Sequence, residues 1–363
     1  MAAPEQTLQD FALPTIDVRA TARRAAVPVL LTAAAVATVL LLGGRVHAFA
    51  DALRRVAGVD PGWAIAAIVF ECLSIAGYVA LLALVAGRAS SRIRFRESAQ
   101  ITLAGAAATR LLPTAGAGGA VVTMWALRRA GLGARAATHT LLVFFVLLYA
   151  VFLGSVTLAG AAIAFGLVND PGPVTLSAIP AAAATAGIAL AIALSRRSSE
   201  ALEEIAPQRT SQGRLALASR LRQGGRLLGS AVRDATRLAA SGDLRLAGAI
   251  CYWLLDAAVL WSMLRAFGAS GAIPVVLLAY FVGQVANTLP IPGSVSGGIA
   301  GVLLAFGFHA DVALPAVLAY RTIAVWLPTP VAIAALPALR STIARWQKAD
   351  GVGEAAPADP AAA

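Results

Sequence analysis

Long runs of apolar residues constrain this chain more than any other feature. Segments at roughly 27–44, 62–87, 139–166, 174–194, 247–267 and 312–336 are almost devoid of charge, and about 20 apolar residues let a helix cross the roughly 30 Å hydrocarbon core of a bilayer. Each is expected to span a membrane, because a helix satisfies its backbone polar groups within the segment itself. Only 13% of the residues are charged and the mean hydropathy is +0.78. A soluble domain carries about a quarter charged residues, so a water-soluble globular fold is excluded. A transmembrane β-barrel would show alternating segments of about 10 residues instead. The expected fold class is all-α, a polytopic integral membrane protein.

Two further apolar segments, 99–127 and 273–308, are broken by Pro and Gly. The breaks read RLLPTAGAGG and TLPIPGSVSGG, in which Pro113 and Pro290 are each followed three residues later by glycine, Gly116 and Gly293. A glycine pair follows in both, Gly118-Gly119 and Gly297-Gly298, and a short apolar stretch then closes at Gly131 and Gly307. The pair comes two residues later in the second copy, which makes this a weak internal repeat.

Charge chooses between crossings and hairpins. If each broken segment enters and leaves on one side, six full spans remain. The basic residues before the first span, in 88–96, in 128–135, in 195–246 and after 337 then share one side, leaving Arg45, Arg54 and Arg55 on the other. If both broken segments crossed, the ten arginines of 195–246 would face outward, against the excess of Lys and Arg in cytoplasmic loops. Two re-entrant helical hairpins are therefore expected. Three spans lie between them, so they enter from opposite sides as an inverted repeat, an architecture of transporters with the substrate at the meeting of the breaks. Residues 1–25 and 346–363 are expected as disordered cytoplasmic tails around a membrane domain at 26–345, in the cell membrane. A cleaved signal peptide is the competing reading of the N-terminus, but the run is long for one and Ala48-Phe49-Ala50 is a weak cleavage site.

The net charge of +11 would suggest nucleic acid in a soluble protein, whereas here the membrane accounts for it and no nucleic-acid partner is expected. The basic 195–246 segment, with Leu221, Leu228 and Val232 at helical intervals, is expected as an amphipathic helix on the inner leaflet. Cys72 and Cys251 lie within apolar spans and read as small buried hydrophobes. His47, His139 and His309 are scattered without metal-ligand spacing, and no nucleotide-binding loop or nucleophile motif is visible. No metal, cofactor or enzymatic activity is expected.

Four ionisable residues lie deep in apolar segments: Glu71, Arg110, Asp256 and Arg321. A charge at the bilayer centre costs about 2.5–3.5 kcal/mol on insertion scales, so each is a functional candidate. Two readings stay open, namely buried ion pairs that hold the bundle together, or Arg110 and Arg321 gripping an anionic group that the carboxylates balance when the site is empty. The glycine pairs are likewise open between close helix packing and half-helix N-termini that favour an anion. Arg265, near a span end, is expected to snorkel, and Trp63 and Trp346 to act as interfacial anchors.

Three motifs carry a family resemblance: RLLPTAGAGGAVVTMWALRRAG at 110–131, NTLPIPGSVSGGIAGVLLAFG at 287–307 and AYRTIAVWLPTPVA at 319–332. With the spans around them, from about 26 to 345, they resemble the transmembrane region of lysylphosphatidylglycerol synthetases, the lipid-flippase half of that family, which also occurs alone. Arg110, Pro113, Pro290, Gly293 and Arg321 are the matching positions. The resemblance implies movement of a phospholipid or related anionic-headgroup lipid between leaflets, or an accessory role in lipid or glycolipid assembly beside a lipid-synthesis or glycosyltransferase partner. The family's bifunctional members carry an aminoacyl-transferase domain after the membrane part, and a short Ala/Pro-rich tail stands there in this chain. Where many relatives have glutamates in the two hairpins, this sequence has Ala117 and Ile299. An integral-membrane lipid-modifying transferase and a small-solute secondary transporter are the alternatives.

Overall fold

The computed structural model describes residues 60–111, 117–168, 172–200, 214–288 and 293–354, with the side chains at 110–111, 197–200, 214–222 and 351–354 outside that description. The expected first span at 27–44 and the centres of both breaks lie outside the described residues. Among the described residues the regular elements are helical: α1 (Pro61–Ala89), α2 (Phe95–Leu111), α3 (Gly118–Arg129), α4 (Ala134–Ala164), α5 (Val174–Glu200), α6 (Arg214–Ala239), α7 (Ala247–Ala266), α8 (Ile273–Ala286), α9 (Ser294–Ala305), α10 (Ala310–Arg321) and α11 (Thr329–Glu354).

Five stretches, Pro61–Ala89, Ala134–Ala164, Val174–Arg196, Leu244–Ala266 and Ala310–Asp350, are long and apolar enough to cross a bilayer. They coincide with five of the six expected spans, and the chain is a multi-pass membrane protein. Leu158, Ile179 and Leu190 are exposed on their outer faces, as lipid-facing side chains are. Cys72 shares that condition: it is exposed and Cys251 half-buried, contrary to the burial expected of both. An apolar segment in lipid has no need to turn every small apolar side chain inward.

The two described arms of each broken segment pack on one another, α2 against α3 and α8 against α9. In the first, a Cβ on Gly105 would lie 3.1 Å from Gly119 Cα, and one on Gly118 would lie 2.7–2.8 Å from backbone atoms of Ala108 and Thr109. In the second, a Cβ on Gly298 would lie 3.0 Å from Gly283 Cα. The backbones of the two arms therefore touch through glycine in both hairpins. The second arms close alike: Gly131 and Gly307 have φ of 94° and 85°, and the amides of Leu132 and Phe308 donate to the carbonyls of Leu127 and Leu303, at 3.2 and 3.1 Å. This left-handed closure needs glycine, because a Cβ there is strained.

The packing has an internal symmetry. α1 and α7, each preceding a hairpin, pack antiparallel on one another, with Ser74 Oγ donating to the Tyr252 carbonyl at 2.8 Å. α4, which follows the first hairpin, packs on α8 of the second, while α11, which closes the second half, packs on α2 of the first. The elements thus exchange partners as a two-fold repeat requires.

Two features depart from expectation. The C-terminal half of α6 buries Ala231, Val232, Ala235 and Leu238 against α4 and α5, with Arg233 donating to the Ser195 carbonyl at 2.8 Å and His139 Nε2 3.3 Å from Asp234. Of its expected apolar stripe, Val232 is thus covered by protein and Leu228 half-buried, where a lipid surface was expected, because the ends of α4 and α5 offer a nearer apolar partner. The last helix also continues through Trp346 to Glu354, into the segment expected as a tail. There Thr342 donates to Gln100 at 2.9 Å and Asp350 pairs with Arg92, so α11 is fastened along the first hairpin. Between α6 and α7, Asp243 accepts hydrogen bonds from the Arg245 guanidinium and backbone, and these hold its carboxyl down to about 2.

Candidate functional site

Thr109 and Ala117 flank the first break, Asn287 and Thr288 the second, and all four line one cavity of about 680 Å³. That size falls within the range of small-molecule and cofactor sites. α1 and α7 supply its charge, Glu71 and Asp256, each about three turns into its helix. Tyr78, Tyr149, Tyr252 and Trp253 form an aromatic wall, which is stacked edge to face in the pairs Tyr78–Tyr252 and Tyr252–Trp253, with centroids 4.9 and 4.8 Å apart. Trp253 is fixed by its indole N–H, which donates to the Leu148 carbonyl at 2.8 Å.

Glu71 is almost wholly buried. The Asp256 carboxylate is held on one oxygen. Tyr280 donates to Oδ2 at 2.7 Å and Tyr320 donates to the same atom at 3.4 Å, while Gln284 Nε2 donates to the Tyr320 hydroxyl at 3.3 Å. Oδ1 is shielded and makes no hydrogen bond among the described residues. Buried carboxylates of this kind are stabilised by donors or by a cation.

Of the two readings open for Arg321, neither a buried ion pair nor a grip on an anion in the cavity is formed by it among the described residues. It is half-buried, is absent from the cavity lining and makes no ion pair among the described residues. The reason lies in helical phase: Tyr320 turns toward Asp256, and the next side chain points about 100° away. The hydrogen bonds on Asp256 come from Tyr280 and Tyr320, not from Arg321. It immediately precedes a π-helical segment, Thr322–Trp326, where Pro328 and Pro330 lack the amides that would continue α-helical bonding. Ala324 of that segment and Pro328 just after it line the cavity. The Arg110 side chain, and Pro113, Gly116 and Pro290, lie outside the described residues.

The glycines divide by role. Gly118 and Gly298 serve arm packing, and so does Gly119, which also borders the cavity. The Gly119 amide donates to Thr109 Oγ1 at 2.8 Å, so this helix-start donor is already satisfied and the packing reading holds. Gly293, with φ of 81°, forms the left-handed entry to α9. α9 therefore starts at Ser294, before the second glycine pair and not after it, and a Cβ on Gly297 would meet no atom within 4 Å. Ala117 lines the cavity, whereas Ile299 is fully buried. The acidic charge of the cavity comes from α1 and α7 instead. At one end of these two helices, Arg265 lies over the rings of Trp63 and Trp261, at 5.9 and 5.8 Å, an aromatic anchorage of the kind found at a membrane interface.

Tyr280, Tyr320 and Gln284 are missed by sequence reasoning, since a tyrosine in an apolar run reads as core. Comparison with curated proteins found no match. The family model described as the lysylphosphatidylglycerol synthase TM region matches residues 25–332, which include all three motifs and every helix that lines the cavity. The chain belongs to the lysylphosphatidylglycerol synthase transmembrane-region family.

Proposed function

We propose that this protein is a lipid translocase of the cell membrane, acting without covalent chemistry, and that its cavity receives a phospholipid headgroup bearing an ammonium group. The observation that carries the reading is the convergence of both breaks on one cavity walled by carboxylates and aromatic rings. The arms of the hairpins have 12–17 residues, about 18–26 Å of helix, short of the roughly 30 Å core. Each hairpin then enters and leaves on one side, and the three membrane-long helices between them set the two on opposite sides. Access from either leaflet meets at the breaks.

Headgroup preference follows from the lining. Among the described residues its charged members are Glu71 and Asp256, and carboxylates beside tyrosine and tryptophan faces attract a cation. The family's name, which refers to a lysylated lipid, supports a cationic headgroup. In this reading the basic loops face the cytoplasm, and both termini lie there with them.

The test is dithionite quenching in proteoliposomes containing acyl-chain-labelled phosphatidylethanolamine or phosphatidylglycerol. In protein-free vesicles only outer-leaflet reporter is bleached. The protein should extend bleaching to the inner-leaflet pool, faster for phosphatidylethanolamine. Bleaching no greater than in protein-free vesicles refutes translocation, and faster phosphatidylglycerol movement refutes the headgroup assignment.

A further inference from the structure

Asp256 is held by residues of which two do not line the cavity. Tyr280 and Tyr320 are 0% and 1% exposed, come from α8 and α10, and converge on one carboxylate oxygen. Gln284 lies one turn beyond Tyr280 on α8, two residues before that helix ends at Ala286, and it borders the cavity. Its amide donates to the Tyr320 hydroxyl, which in turn donates to Asp256. Asp256, Tyr320, Gln284 and Tyr280 thus close a ring across α7, α8 and α10.

The ring has a direction. Two phenolic donors on Oδ2 fix the carboxylate plane and leave Oδ1 without a donor among the described residues, shielded until the cavity fills. Any shift of the carboxylate pulls on Tyr320 and, through Gln284, on the last turn of α8, beside the second break. We infer that Tyr280, Tyr320 and Gln284 are positioning residues: the two phenols orient Asp256 toward the headgroup ammonium, and Gln284 couples that carboxylate to the second hairpin. This rests on the reading that a lipid ammonium meets Asp256.

The two duties separate in kinetics. Initial rates are measured in proteoliposomes over a range of labelled phosphatidylethanolamine and phosphatidylglycerol fractions. Tyr280→Phe should raise the half-saturating phosphatidylethanolamine fraction about tenfold and remove the preference over phosphatidylglycerol. Tyr320→Phe should do the same and also slow the maximal rate, since it breaks both links. Gln284→Leu should keep the preference and lower the maximal rate about fivefold. Asp256→Asn should itself remove the preference, and adding Tyr280→Phe to it should change the preference no further, because a residue acting through Asp256 has nothing left to position. Retained preference in both phenylalanine variants, with rates falling only in step with folded protein, overturns the inference. A half-saturating phosphatidylethanolamine fraction higher in the double variant than in Asp256→Asn alone also overturns it. If a phenylalanine variant does not fold, the Gln284→Leu result decides: an unchanged maximal rate overturns the coupling. A wild type that moves neither lipid removes the function reading and this inference with it, whereas one that moves phosphatidylethanolamine while the variants behave like it removes this inference alone.

Discussion

Replacing Gly118 by alanine tests whether backbone contact holds the first hairpin together. The added Cβ would stand 2.7–2.8 Å from the Thr109 amide nitrogen, the Ala108 carbonyl carbon and Thr109 Cα, where ordinary contact begins at 3.4 Å. α2 and α3 must then part by about 0.7 Å, because none of those atoms can rotate away as a side-chain end would. Overpacking of this kind costs about 1–3 kcal/mol. Separation also stretches the 2.8 Å bond from the Gly119 amide to Thr109, worth about 1 kcal/mol. The helix gains up to about 1 kcal/mol from losing a glycine, leaving a net destabilisation of roughly 1–3 kcal/mol. Gly297→Ala is the control, since it gains the same helical propensity and meets nothing within 4 Å. The two variants should therefore differ by about 2–4 kcal/mol in equilibrium unfolding of the detergent-purified protein. Equal stabilities would refute the claim that the arms are in backbone contact at Gly118.

Arg321→Lys should transport lipid at close to the wild-type rate in the dithionite assay, because Arg321 does not line the cavity and makes no bidentate contact among the described residues. With the native cysteines replaced, a cysteine at Arg209 or Gly353 should resist an external impermeant thiol reagent, while one at Asp170 should react; labelling at 209 from outside would break the hairpin topology. The Asp243–Arg245 cap has a depressed carboxyl pKa, so its stabilisation is present above the unfolded value near 4 and lost as pH falls through about 2. Side-chain carboxyl NMR titration should show Asp243 ionised down to that pH.

Much of this architecture is legible in the sequence because the bilayer imposes lengths. Five spans and both hairpins follow from apolar runs and from the Pro/Gly breaks, and Glu71 and Asp256 stand out because charge is costly in lipid. Tyr280, Tyr320 and Gln284 are not legible, since their role arises only where α7, α8 and α10 meet, far apart in sequence. The α6 stripe announces an apolar face without saying whether protein or lipid covers it. Arg321 misleads for a related reason: depth in the span is readable, but helical phase relative to the cavity depends on Tyr320 being turned toward Asp256. The tail expected from 346 is likewise not legible as helix, because what holds it there is tertiary: Gln100 of α2 on Thr342 and Arg92, just before α2, on Asp350.

The route of the lipid between the two breaks is tested most directly by joining them. In a background without Cys72 and Cys251, cysteines replace Thr109 and Thr288, which border the cavity from opposite hairpins, and a cleavable bifunctional thiol reagent bridges them. Bridged protein should lose inner-leaflet bleaching of labelled phosphatidylethanolamine and regain it when the bridge is reduced, with each single-cysteine variant unaffected. Continued transport by fully bridged protein would show that the lipid headgroup passes elsewhere.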